Sequence, residues 1–266
     1  MMDKKDYFMA LTLEKEKELE RTNKSMLDLI KKASLTLEKE NLKSDVYRVV
    51  LVLDISGSMN GQFNSGQVQK LAERALALGA NLDDNAEVEL YLFGINAHSC
   101  DSISLDNING VINNLRFQFE GGTRYAPVMA KVRKDAKEEG YSSPTLVLFI
   151  TDGDNSDKEE ATHQIVEASY EPIFWKFMAI SSRSAPSANN SGGLLSRFFK
   201  SENSGSLEDD FPFLQKLDTL SNRKVDNANF FAVDKNISLS DEELFDKLVE
   251  ELGSWKQECK KLGILK

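Results

Sequence analysis

The order of apolar segments predicts an α/β fold: a mostly parallel six-stranded sheet with helices on both faces. Three observations carry this. Apolar, β-branched runs recur at residues 46–53, 87–93, 145–150, 173–180 and 230–233, and the runs are continuous instead of alternating, as in strands buried on both faces. Between them stand segments whose apolar residues repeat at helical spacing, and strands alternating with helices imply right-handed crossovers and a parallel sheet. The chain has 266 residues, 41% of them hydrophobic, enough to bury a full core.

Taken in order, residues 1–44 form a Lys/Glu-rich segment in which Leu19, Met26, Ile30, Ala33 and Leu37 draw one apolar stripe on a helix. The stripe fits a helix packed on the main domain, and it also fits a short partner helix. The domain proper is assigned to residues 45–266. After the first strand, Val68, Leu71, Ala72, Ala75, Leu78 and Leu82 mark a helix, and the second strand follows at 87–93. Ile103 and Leu105 are read as an antiparallel edge strand, 106–115 as a helix, Gly121-Gly122 as a turn and 125–139 as a further helix. After the strand at 145–150, Ser156 and Glu159 have capping-box spacing, as do Ser240 and Glu243 before the last helix. That helix is expected to be continuous, with Leu244, Leu248, Leu252, Trp255, Cys259 and Leu262 on its inner face.

Charge and cysteine usage narrow the function. The formal net charge is −10 and the isoelectric point about 4.9, which opposes binding to phosphate backbones, so nucleic acid is not an expected partner. Cys100 and Cys259 stand far apart without a metal or redox spacing, so a reducing, cytoplasmic setting is expected. No stretch reaches the roughly 18 apolar residues of a membrane span, and no integral membrane segment is expected. Two histidines, His98 and His163, lack a nucleophile or acid at triad spacing.

In open parallel sheets ligands bind beyond the carboxyl ends of the strands, at the switch point in strand order. The loops at those ends carry a set of oxygens: Asp54-Ile55-Ser56-Gly57-Ser58, then Thr123 after the glycine pair, then Thr151-Asp152-Gly153-Asp154. A hard dication such as Mg²⁺ takes oxygen ligands at about 2.0–2.1 Å and keeps some water. Ser56, Ser58 and Thr123 offer neutral hydroxyls, Asp54 and Asp152 offer carboxylates that orient them, and Gly57 is expected to let the loop turn tightly. Mn²⁺ or Ca²⁺ would suit the same set. Asp54 and Asp152 also fit helix caps or turns; Thr151 is read as loop support and Asp154 as a turn residue.

These three loops resemble the metal-ion-dependent adhesion site of von Willebrand factor A (vWA) domains. The resemblance implies a Rossmann-like, doubly wound sheet with one antiparallel edge strand, and it implies metal-binding roles for Asp54, Ser56, Ser58, Thr123 and Asp152. The segments Phe174-Trp175-Lys176-Phe177, Phe213-Leu214-Gln215-Lys216-Leu217-Asp218 and Asp226-Asn227-Ala228-Asn229-Phe230-Phe231, with the helix at 240–265, are similar to the bacterial tellurium-resistance branch, which implies a stress-response complex. A Ser/Asn/Gly-rich insertion at 181–207 matches no family pattern. It holds Leu194-Leu195 and Phe198-Phe199, which fit either a loop tucked on the domain or an apolar contact beside a partner. The function expected is therefore a divalent-metal-dependent protein-interaction module whose partner supplies a carboxylate. The competing readings are a metal-dependent phosphoesterase with Asp54 as nucleophile, and a metal-free scaffold. The phosphoesterase would want an acid two residues after its nucleophile, where Ser56 stands.

Overall fold

The structure, a computed structural model, describes residues 14, 16–83, 85–184 and 205–265. Six strands, β1 (Arg48–Asp54), β2 (Glu89–Phe93), β3 (Ala97–Ser99), β4 (Thr145–Thr151), β5 (Ile173–Ile180) and β6 (Ala228–Val233), form one sheet in the order β3-β2-β1-β4-β5-β6. All neighbours are parallel except β2 and β3. β1 lies at the centre with β2 and β4 on either side, so the order reverses between β1 and β4 and their carboxyl ends open a crevice. This is the doubly wound, Rossmann-like architecture.

Because every second side chain of a strand faces the same way, β1 divides itself between two cores. Val49, Leu51 and Leu53 join the larger core, and Val50 and Val52 join the smaller. The larger is closed by α1 (Lys24–Lys39), α2 (Asn60–Asn64), α3 (Gln67–Leu82) and α4 (Val111–Asn114). The smaller is closed by α5 (Ala126–Glu138), α6 (Lys158–Ala168) and α7 (Pro212–Asp218), and α8 (Asp241–Val249) and α9 (Leu252–Lys261) complete the larger. Helix α1 packs against α3 and α8, burying Met26, Leu27, Leu29, Ala33 and Leu37. Lys32 bonds Asp241 at 2.9 Å and Lys39 bonds Asp246 at 2.7 Å.

Several expectations are corrected. The antiparallel edge strand is Ala97–Ser99, not Ile103 and Leu105. A tight turn at Gly94-Ile95-Asn96 folds the chain straight back on β2, and Ile103 keeps only an isolated bridge to Val88. The helix expected over 106–115 shrinks to α4, because Gly110 takes a left-handed φ of 71° immediately before it. The last helix breaks between α8 and α9, where Glu251 adopts a φ of 67°. The Ser240–Glu243 capping box forms as read. The Ser156–Glu159 box does not: α6 starts at Lys158 after Asp157, and Ser156 bonds a different loop. Residues 194–199 of the insertion lie outside the described residues. No helix among the described residues is long and apolar enough to cross a membrane.

Candidate metal centre

Asp54 is the last residue of β1 and is fully buried. Its Oδ1 accepts the amide of Ser56 at 2.7 Å, and its Oδ2 accepts the hydroxyl of Thr151, the last residue of the neighbouring β4, at 2.6 Å. Parallel pairing causes this meeting, since β1 and β4 run in register from Arg48↔Thr145 to Leu53↔Ile150 and end on one rim. Beyond the strand, Ser56 is extended and leads into a single 3₁₀ turn at Gly57–Met59. That turn brings Ser58 Oγ to 3.0 Å from Ser56 Oγ, and Ser58 Oγ donates to Asp152 Oδ1 at 2.7 Å. Four of the five expected residues therefore form one cluster spanning the first and third loops.

Thr123 joins differently. Its carbonyl accepts the amide of Ser156 at 3.0 Å and the hydroxyl of Ser156 at 3.2 Å. Among the described residues its own hydroxyl makes no hydrogen bond to the other four. The tight turn assigned to Gly57 is not required there: its φ is not left-handed, and a Cβ on it would meet nothing within 4 Å. The close approach is at Gly94, where a Cβ would lie 2.5 Å from Glu120 Cβ.

Two residues that the motif pattern did not single out hold the loops. Glu120 pairs its backbone with the first loop, its amide donating to Ile55 O at 2.9 Å and its carbonyl accepting Gly57 N at 3.1 Å. Its carboxylate accepts the amides of Ile95 and Asn96, the latter at 2.9 Å, and lies 2.7 Å from His98 Nε2. Burial pushes the Glu120 carboxyl upward, but the His98 and amide hydrogen bonds outweigh it and hold it below its ordinary value. His98, which has no acid at triad spacing in the sequence, thus has a defined partner in the fold. The second unread residue is Asp157, whose carboxylate meets the amides of Tyr125 and Ala126 at 3.0 and 2.9 Å. Neither had a sequence signal, because most of the groups they bind are backbone amides.

Electrostatically the cluster is short of positive charge. Burial pushes the Asp54 carboxyl up to about 6; hydrogen bonds from Thr151 and Ser56 oppose the rise, and the charge of Asp152 adds to it. Burial also raises Asp152, against its bond from Ser58. Among the described residues neither acid has a Lys or Arg partner, although Asp154 nearby is paired with Lys158. No group of three or more His, Cys, Asp or Glu side chains placed to hold a metal ion occurs among the described residues. The donors here are two carboxylates and nearby hydroxyls, all hard oxygens, and they fit an oxygen-preferring dication that would neutralise the buried acid.

Comparison with known proteins gives the chain a family. The family model described as "vWA found in TerF C terminus" matches residues 46–190 and 204–265. The uncharacterized protein YcbR of Bacillus subtilis (strain 168) is 33% identical over 248 residues, covering 90% of each chain. Among solved structures, the SpRpn10 VWA domain aligns over 77% of this chain and 94% of its own, with a TM-score of 0.46 and 10% identity. Proximal thread matrix protein 1 from the mussel byssus, solved with a zinc-occupied MIDAS motif, aligns over 83% of this chain with a TM-score of 0.44 and 15% identity; the chain spans 48% of that protein's length. The family model spans most of the chain, and the chain therefore belongs to the von Willebrand factor A domains of the TerF-like family.

Proposed function

We propose that the chain is a divalent-cation-dependent protein-interaction module, working in a cytoplasmic bacterial stress-response or tellurium-resistance complex. The observation that carries this reading is the buried Asp54, linked through its loop to a Ser56–Ser58–Asp152 hydroxyl chain, with no Lys or Arg paired to either acid among the described residues. Ser56, Ser58 and Thr123 would hold the cation through hydroxyls, and Asp54 and Asp152 would orient them and balance its charge. When bound, the cation supplies a Lewis-acidic position that a partner's Asp or Glu can occupy. Mg²⁺ is the expected ion; Mn²⁺ and Ca²⁺ are alternatives that the donor set accepts.

Binding without reaction is favoured over phosphoester chemistry by the state of Asp54. Both its oxygens are engaged, by the Ser56 amide and the Thr151 hydroxyl, and the residue is buried. A nucleophile must instead present a free oxygen to its substrate. Ser56, two residues later, is no general acid at neutral pH.

The test is a titration of Mg²⁺, Mn²⁺ and Ca²⁺ while following thermal unfolding, since a ligand of the native state raises the midpoint. At least one ion should raise it for the wild type and none for Asp54→Ala; no response to any ion would favour a metal-free scaffold. In parallel, capture of a protein from bacterial lysate should vanish in excess chelator and with Asp54→Ala. A partner retained in both conditions would refute the cation-bridged mechanism, and turnover of phosphoesters with Mg²⁺ would refute the non-enzymatic one.

A further inference from the structure

Thr123 differs from the other four site residues in how it is held. Ser56 and Ser58 are connected to the acids through their own polar groups. The hydroxyl of Thr123 makes no hydrogen bond among the described residues, so the hydrogen bonds that hold this residue run through its main chain.

That main chain is fastened from two sides. Toward β2, the amide of Arg124 donates to the carbonyl of Gly94 at 2.8 Å. Toward β4, two loops are joined along their length. Thr123 O accepts both the amide and the hydroxyl of Ser156, and the next amides but one, Tyr125 N and Ala126 N, donate to Asp157 Oδ1 and Oδ2 at 3.0 and 2.9 Å. Asp157 is only 4% exposed, and Asn155 Nδ2 donates to its Oδ1 at 2.7 Å. Tyr125 adds a fifth link through its hydroxyl, which donates to Gly153 O at 2.6 Å. The first amides of a helix have no partner within it, and here Asp157 satisfies two of them across a gap of 31 and 32 residues, while leaving its own helix α6 without a side-chain cap.

We infer that Asp157, with Ser156, is a positioning residue that sets Thr123 at the cation: the third loop holds the second at the height of the first. This rests on the metal reading above and extends it to residues outside the DxSxS–T–D pattern. The asymmetry supports it. Asp157 and Ser156 forgo capping α6, and the bonds they make instead converge on residues 123–126, where Thr123 has no side-chain hydrogen bond of its own among the described residues.

The consequence is energetic coupling. Partners that orient a metal ligand typically change metal affinity about 10–100-fold when removed, and residues acting through one another are non-additive in a double-mutant cycle. The experiment uses the full chain and Mn²⁺ as probe, with affinity measured calorimetrically for wild type, Asp157→Asn, Thr123→Ala and the double variant. Asp157→Asn is expected to weaken Mn²⁺ about tenfold in the wild-type background and less than about twofold in the Thr123→Ala background. Hydrogen exchange on the metal-free protein should show the amides of Tyr125 and Ala126 losing protection in Asp157→Asn while β4 amides keep theirs. If Asp157→Asn does not fold, Ser156→Ala, which removes one of the two bonds to Thr123 O, carries the same cycle with a smaller expected loss. Equal losses in both backgrounds, or none in either, would overturn the inference while leaving the metal centre intact. A wild type that binds no Mn²⁺ would overturn both, and is recognisable because no variant then has an affinity to lose.

Discussion

Burial holds the Asp54 carboxyl near 6 in the folded chain, against 3.8 as its ordinary value, and this has a definite pH signature. The folded state binds the proton more tightly than the unfolded state, so without metal the stability falls as pH rises from about 4 to about 6 and stays at the lower level above that. The ionised group costs on the order of 3 kcal/mol at neutral pH. Urea unfolding in chelator should therefore show a decline in stability across that window that is absent from Asp54→Asn, which keeps an acceptor for the Ser56 amide. An identical profile in the two proteins would place the cost elsewhere. A dication competes with the same proton, so its affinity should weaken as pH falls below about 6, readable by calorimetry at pH 5 and pH 7. Glu120 has the opposite character, with its carboxyl held low by His98 and two amides. Glu120→Ala should loosen the Gly94–Asn96 turn and the Ser56 loop together, seen as faster hydrogen exchange at the amides of Ile95 and Gly57.

The break between α8 and α9 illustrates what an element's environment can impose on a periodic sequence. The stripe from Leu244 to Trp255 and Cys259 is buried throughout, yet the helix stops at Val249 and restarts at Leu252. At the break stands Lys176 of β5, fully buried, whose ammonium donates to the carbonyl of Glu250 at 2.8 Å and to Asn229 of β6. The interruption frees a carbonyl that an unbroken helix would have used internally, and a buried Lys takes it. Burial lowers the Lys176 amine to about 7, against the pull of Glu250, Glu251 and Asp218. Its folded value lies below the ordinary 10.5, so the folded state sheds the proton first and stability should rise with pH between about 7 and 10.5. Lys176→Met should remove that rise; chemical denaturation at the two ends of the window compares the proteins directly. A Lys176→Met curve parallel to wild type would mean the amine does not titrate in the folded chain.

At the scale of the molecule, α1 belongs to the same apolar core as the sheet, with Met26, Ala33 and Leu37 buried against α3 and α8. Leu37→Ala should accordingly cost about 2–5 kcal/mol, the range for emptying a buried leucine site, measured as a shift in denaturant midpoint; a surface helix would lose far less. The strands and most of the flanking helices were legible in the chain because burial on both faces demands continuous apolar runs and packing on a sheet demands a 3.6-residue stripe. Asp54, Ser56, Ser58 and Asp152 were legible too, since parallel strands of matched length deliver the residues that follow them to one rim. Tertiary structure alone decided how the loops are tied: that Ser156 and Asp157 serve Thr123 and α5 instead of capping α6, that Glu120 grips the turn at Gly94, and that the last helix breaks over Lys176. The reason is physical. Each of those side chains meets a backbone amide or carbonyl distant in sequence, and main-chain groups are the same at nearly every position, so no residue pattern announces which of them a carboxylate, hydroxyl or ammonium will find.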